Sequence, residues 1–230
     1  MAGTATRRRW YGAVLAAVCA AGVVTAAPAS AAAAAGTCSV NIASKLVVDS
    51  PFERFPATLA ANCASSGTEY ASWDIRHSYY GPTDMLIFDA SSTDYWEFYD
   101  WEDLGTHYVE PSFSYDSNYD DVLQNTRTVS VRLGSRTSLT SSRSGSYVTL
   151  NTTLTRYRPN DAGFRAWGGR PVSLQFRTCS TCTWTTFKTG STNSLGKASY
   201  RFSSSRAKYY RAITPDMSTT WGGASAATYR

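Results

Sequence analysis

Cys179 and Cys182 stand two residues apart in RTCSTCTWT (177–185), a spacing that serves a redox pair, half a metal site or a hairpin staple. A thioredoxin-like redox pair needs a βαβ context, which the surrounding sequence lacks. Zinc takes about four ligands, and this half of the chain offers no second Cys/His pair. A staple remains. With Ser180-Thr181 as a two-residue turn, Leu174 faces Phe187, Phe176 faces Thr185 and Arg177 faces Trp184 within cation–π reach. Cys179 then faces Cys182 at a Cα separation of ~5.5 Å, within disulfide range.

Other groups that could do chemistry are sparse. His77 and His107 are the only histidines, and no serine elbow, zinc-binding helix, phosphate loop or Cys–His nucleophile pattern occurs. His107 reads as an exposed turn residue and His77 as a structural strand-end residue. Glu97 and Glu102 could form the carboxylate pair of a glycosidase, which needs a separation of ~5–9 Å that spacing does not fix. The acids between Asp84 and Asp121 crowd one span. Asp89 and Asp94, or Asp116, Asp120 and Asp121, could supply oxygens to calcium, though without the D-x-D-x-D-G loop. The expectation is no catalysis, no cofactor and no resident metal.

Binding has a better lead in YWEFYDWED (95–103). Tyr95, Trp96, Tyr99 and Trp101 stand among acids. Flat rings stack on sugar faces, and Trp and Tyr are enriched at recognition surfaces. Alternation puts Tyr95, Glu97, Tyr99 and Trp101 on one face, with Trp96, Phe98 and Asp100 on the other. Apolar groups on both faces leave at least one ring hard to bury.

The elements that must position these groups are strands. No amphipathic helical stretch follows the first residues; short alternating runs such as YVTLNTTLTRY (147–157) and VSLQFRT (172–178) are separated by Gly, Asn, Asp, Ser and Pro. Many short strands at such spacing indicate all-β antiparallel sandwiches. Trp73 and Trp167 occupy positions where sandwiches bury an indole, LGTHY (104–108) reads as the approach to a tyrosine corner, and KYYR (208–211) as the corresponding strand of the second half. The polar segment SRTSLTSSRSGS (135–146) marks a boundary at Gly134–Ser135, giving sandwiches of 32–134 and 135–230.

Residues 1–31 read as a cleavable signal peptide. Arg7–Arg9 precede the apolar WYGAVLAAVCAAGVV, and Ala29-Ser30-Ala31 has the small-residue form of a cleavage site. Cys19 leaves with the leader. The remaining Cys38, Cys63, Cys179 and Cys182 then suit disulfides in an exported chain. Three pairings are open, and proximity favours Cys38–Cys63 with Cys179–Cys182.

The net charge of +5 conceals a division. Of seventeen acids fifteen fall in 32–134, with five bases, while 135–230 holds two acids and fourteen bases. The halves thus carry −10 and +12. Such asymmetry predicts either a charged partner, for which an anionic envelope polymer suits an exported protein better than nucleic acid, or mutual electrostatic docking of the halves in a purely architectural protein.

The second half, through VTLNTTLTRYRPN, RAWGGRPVSLQFRT, WTTFKT, GKASYRF and KYYRAITPD, resembles the immunoglobulin-like domains of secreted actinobacterial proteins. The first half matches more loosely, through ASWDI, LGTHYVEP and NTRTVSVRLGSR. The resemblance implies tandem immunoglobulin-like sandwiches and a secreted habit, with no shared catalytic residues. The combined expectation is a secreted or loosely wall-associated binding protein for a glycan, an envelope polymer or a protein.

Overall fold

The structure, a computed structural model, describes residues 36–230, so the leader lies outside the described residues. The early part of the chain runs β1 (Thr37–Cys38), β2 (Val40–Ile42), β3 (Lys45–Val48), β4 (Phe52–Leu59), a one-turn helix α1 (Ala61–Ser65), β5 (Thr68–His77), β6 (Gly81–Asp89), β7 (Thr93–Tyr99), β8 (Gly105–Asp116), β9 (Leu123–Gln124) and β10 (Arg127–Leu133). One sheet has the order β2-β4-β7 and the facing sheet β3-β10-β8-β5-β6. The opening strand is split between the two, and β3 runs parallel to β10, a departure from the antiparallel expectation. In immunoglobulin lettering these sheets are A-B-E and A′-G-F-C-C′, an immunoglobulin-like order.

The later part runs β11 (Ser135–Ser144), β12 (Tyr147–Arg158), β13 (Gly163–Ala166), β14 (Pro171–Arg177), β15 (Thr185–Ser191), β16 (Lys197–Ser203), β17 (Tyr209–Thr214), β18 (Gly223–Ala224) and β19 (Thr228–Tyr229). Here β12 pairs with β11 on one side and with β13 and β16 on the other, while β15-β14-β17 forms the facing sheet, closed by β18 and β19. The polar segment expected to separate two sandwiches is strand β11 itself, paired along its whole length with β12. Strand pairing uses the backbone, so Ser and Thr suffice at an edge. No helix among the described residues is long and apolar enough to cross a membrane.

Alternation buries one set of side chains from each sheet. Trp73, Ile75, Leu86, Phe88, Trp96 and Phe98 fill the first core, and Val148, Leu150, Leu154, Trp167 and Tyr210 the second. Trp73 and Trp167 are buried as the sequence predicts, and the Trp73 Nε1–H donates to the Asn125 carbonyl at 2.9 Å. The tyrosine corner does not form: Tyr108 is 37% exposed on the outer face, and His107 takes the inward position. This reverses the expectation that His107 is an exposed turn residue.

His107 is 1% exposed and stands directly across β5/β8 from His77, with ring centroids 4.8 Å apart. The His77 Nδ1 accepts from the Tyr79 and Tyr80 N–H groups at 3.2 Å, so its Nε2–H faces the Leu104 carbonyl at 3.3 Å. Burial, then the neighbouring His77, pushes the His107 imidazole down from 6.5 to about 4; the Gly105 backbone and Asp103 oppose this.

A single residue, Gly134, joins β10 to β11. A side chain there would press on Asp49 Cβ at 2.9 Å and Val47 Cγ1 at 3.0 Å. Tyr157 of β12 is buried in the first core, and its hydroxyl donates to Asp100 Oδ2 at 2.7 Å. Trp221 donates from Nε1 to the Leu46 carbonyl at 2.7 Å, with Lys45 and Arg132 stacked on its ring at 4.4 and 4.1 Å. The ion pair across this junction, Lys45–Asp216 at 3.0 Å, takes a base from the acidic half and an acid from the basic half. Electrostatic docking of the halves is therefore corrected: backbone bonds and two aromatic side chains join them, and among the described residues no ion pair links an acid of 32–134 to a base of 135–230.

Two outcomes follow. Scattering should give the same radius of gyration at low salt and at ~1 M salt, where the Debye length is ~3 Å; Trp221→Ala should cost about 3 kcal/mol in urea denaturation. Extension at high salt would restore the electrostatic account. Because the folded pKa of His107 lies below its unfolded value, its contribution is complete above pH 6.5 and lost as pH falls through about 4. Stability should fall by up to about 3 kcal/mol across that window, and His107→Leu should remove this component. Parallel pH profiles of the two proteins would refute it.

Candidate functional site

Strand β7 directs Trp96 and Phe98 inward and Tyr95, Glu97 and Tyr99 outward. Trp96 is fully buried, 0% exposed, edge-on to Phe98 and His107, so it is corrected from a binding residue to a core residue. Sequence parity separates the two sets; the side facing the core is fixed by pairing with β4.

After Tyr99 the chain turns sharply. The Glu102 N–H donates to the Tyr99 carbonyl at 3.0 Å, and Glu102 Oε1 accepts from the Tyr99 N–H at 2.9 Å. This turn lays Trp101, 76% exposed, over Tyr99, with ring centroids 5.5 Å apart and planes 18° from parallel. Phe52 extends the patch at 5.0 Å from Tyr99. Tyr95 stands further along the same face with Arg54 stacked on it at 4.3 Å. The turn is held from three directions: Asp100 by the Tyr157 hydroxyl, the Asp100 N–H by the Pro51 carbonyl, and the Leu104 carbonyl by His77.

Beside the stacked rings a cleft of about 620 Å³ is lined by Thr83, Asp84, Glu97, Glu102 and Asp103. Burial is the main cause that raises the Asp84 carboxyl, with Asp94 and Glu97 adding repulsion against the Met85 N–H. Burial likewise raises Glu102, with Asp84 and Asp103 repelling it against the Tyr99 N–H. Arg54 pairs with Glu97 at 3.4 Å. Such a cleft can stack a flat apolar face and accept hydrogen bonds from hydroxyl or ammonium groups. Tyr99 and Trp101 are thus brought together, Tyr95 stands apart, and Asp84 enters from another strand.

The calcium candidates do not converge. Asp94 Oδ2 accepts from the Ile87 N–H at 2.7 Å, tying β7 to β6. Asp116 Oδ1 accepts from the Asn118 and Asp120 N–H groups at 2.8 and 3.0 Å, which shapes the turn carrying Asp120 and Asp121. Asp89 ends β6. Among the described residues, no group of three His, Cys, Asp or Glu side chains is placed to hold a metal ion.

Both disulfides form as proximity favours: Cys38–Cys63 ties β1 to α1, and Cys179–Cys182 closes the β14–β15 hairpin with Cα atoms 5.1 Å apart. The register is as expected at Phe176↔Thr185, and Arg177 lies over Trp184 at 4.5 Å. Beyond that the register shifts between Leu174 and Gln175, so Leu174 faces Lys188 instead of Phe187. Phe187 turns inward onto Phe176 and Phe202.

No protein-family model matches the chain, and no curated protein does. Among solved structures it is similar to the D00–D0 domain of intimin (15% identity, covering 84% of this chain and 98% of that one, TM-score 0.29). It is also similar to a cytokine receptor complex (11% identity, 83% and 94% covered, TM-score 0.40) and to the human OSCAR ligand-binding domain (10% identity, 85% and 99% covered, TM-score 0.29). At these TM-scores the similarities add nothing to what the strand order shows by itself.

Proposed function

We propose that the chain is a secreted, non-catalytic binding protein that holds a neutral or cationic glycan in the cleft beside Tyr99 and Trp101. Its plan is a signal peptide over 1–31 followed by immunoglobulin-like domains of 32–134 and 135–230. The observation that carries this reading is the stacked, solvent-facing Tyr99–Trp101 pair at the mouth of a carboxylate-lined cleft. A sugar ring presents a flat C–H face to an aromatic platform and hydroxyl donors to the carboxylates beside it. The four acids disfavour an anionic ligand at this place. A cleft of this size falls within the ~300–1,000 Å³ range of ligand sites. Two disulfides support an oxidising compartment.

The test is retention on insoluble peptidoglycan, chitin and cellulose, with affinity measured by depletion from solution. Trp101→Ala and Tyr99→Ala should each weaken binding about tenfold, equivalent to ~1.4 kcal/mol, with unchanged circular dichroism. Trp96→Ala is unsuitable because it empties the core. Equal retention of parent and both variants on every polymer would sink the proposal.

A further inference from the structure

Strand β15 pairs with β14 and strand β16 with β12, and no backbone pairing joins β15 to β16 along that flank of the second sandwich. Two successive hollows of about 360 and 310 Å³ follow it. The inward positions Val172, Leu174 and Phe176 of β14 run along their floor in turn. Phe187, Tyr200 and Phe202 stand between the hollows as a partly exposed aromatic cluster; Tyr200 and Phe202 are stacked at 5.6 Å, and Phe187 is 5.1 Å from Phe202. A closed sandwich would bury such rings.

Every charged residue lining the two hollows is basic, among neutral Ser, Thr and Asn. Lys188 and Lys197 line the first hollow, Arg206 and Lys208 the second. Lys188 Nζ lies 5.1 Å from the Tyr200 ring and Lys208 Nζ 4.2 Å from the Phe176 ring, so the cations lean over the aromatic floor. None of the four has a carboxylate partner among the described residues. The only acids after residue 134, Asp161 and Asp216, are engaged by Arg165 and Lys45.

We infer that this groove binds an anionic polysaccharide, with carboxylate, sulfate or phosphate groups on the four bases and sugar rings on the aromatic floor. Distribution of charge selects a chain over a free oxyanion. The bases come in two pairs spread along a strand of ~20 Å, whereas a single oxyanion site draws its donors to one point. This site is separate from the acidic cleft and does not rest on that reading.

The experiment is calorimetry on the full chain at low salt with polygalacturonate, dextran sulfate, neutral dextran and inorganic phosphate. Binding to one or both charged polymers is expected, with neutral dextran and phosphate at least a hundredfold weaker. Lys188→Glu with Lys197→Glu should weaken polymer binding at least tenfold. Arg136→Glu with Arg201→Glu changes the same charge on the same half, outside the groove, and should weaken it less than threefold. Trp101→Ala should leave this binding unchanged, so failure here is distinguishable from failure of the acidic cleft. Equal loss in the two double variants would reduce the interaction to diffuse attraction and overturn the site. Absence of binding to both charged polymers, or equal binding of neutral dextran or of phosphate, would overturn the ligand class.

Discussion

Both clefts depend on one constraint of chain connection. In each sandwich the chain passes from the edge of one sheet to the edge of the other through a short link, Ala90–Ser92 in the first and Thr192–Gly196 in the second. Links of that length have no residues to spare for a further strand along the flank. The edges of β6 and β7, and of β15 and β16, therefore stay unpaired by backbone. In the first, Asp94 reaches across to the Ile87 N–H as a partial clasp. In the second, Gly196 lets the link fold back onto β12. Its φ of +69° favours glycine, and a Cβ would lie 2.3 Å from the Leu154 carbonyl oxygen.

Equivalent flanks of opposite charge could suggest that the halves are made for each other. The junction argues against it. Leu133, Gly134, Tyr157 and Trp221 meet through backbone bonds, close packing and an indole in contact with two cations. The crossing ion pair is exposed on both sides, where such pairs contribute ~0–1 kcal/mol. Charge in excess of fold requirements is charge available to partners. The near-absence of acids around Lys188, Lys197, Arg206 and Lys208 then has meaning for binding that it lacks for folding.

The all-β class was legible in the alternation of short runs, and the hairpin register in Cys179–Cys182 and its turn. The register failed one step further, because the shift at Leu174/Gln175 is set by Phe187 packing into an aromatic cluster drawn from β14 and β16. Strand β11 was missed because its polarity resembles a linker, and an edge strand needs only backbone pairing. In YWEFYDWED parity divided the aromatics correctly, yet nothing local says which set meets the core; β4 decides it and buries Trp96. Asp84 could not be joined to Glu102 by spacing, since a different strand carries it. The burial of His107 opposite His77 is likewise a cross-strand fact.

The acidic cleft also shows why a site on one sandwich depends on the other. Its turn carries the most exposed ring of the aromatic patch, yet it is fixed at the Asp100 side chain, the Asp100 N–H and the Leu104 carbonyl. One of those anchors, the Tyr157 hydroxyl, comes from β12 of the second sandwich. Burial and hydrogen bonding to Asp100 both keep that phenol protonated far above the usual range, so it remains a donor at any ordinary pH. A platform held this way loses little conformational entropy when a ligand settles on it, and preorganisation of this kind strengthens binding without adding contacts. The one-residue link at Gly134 therefore does more than connect two sandwiches: it keeps Tyr157 in register with a turn whose shape the stacked rings require.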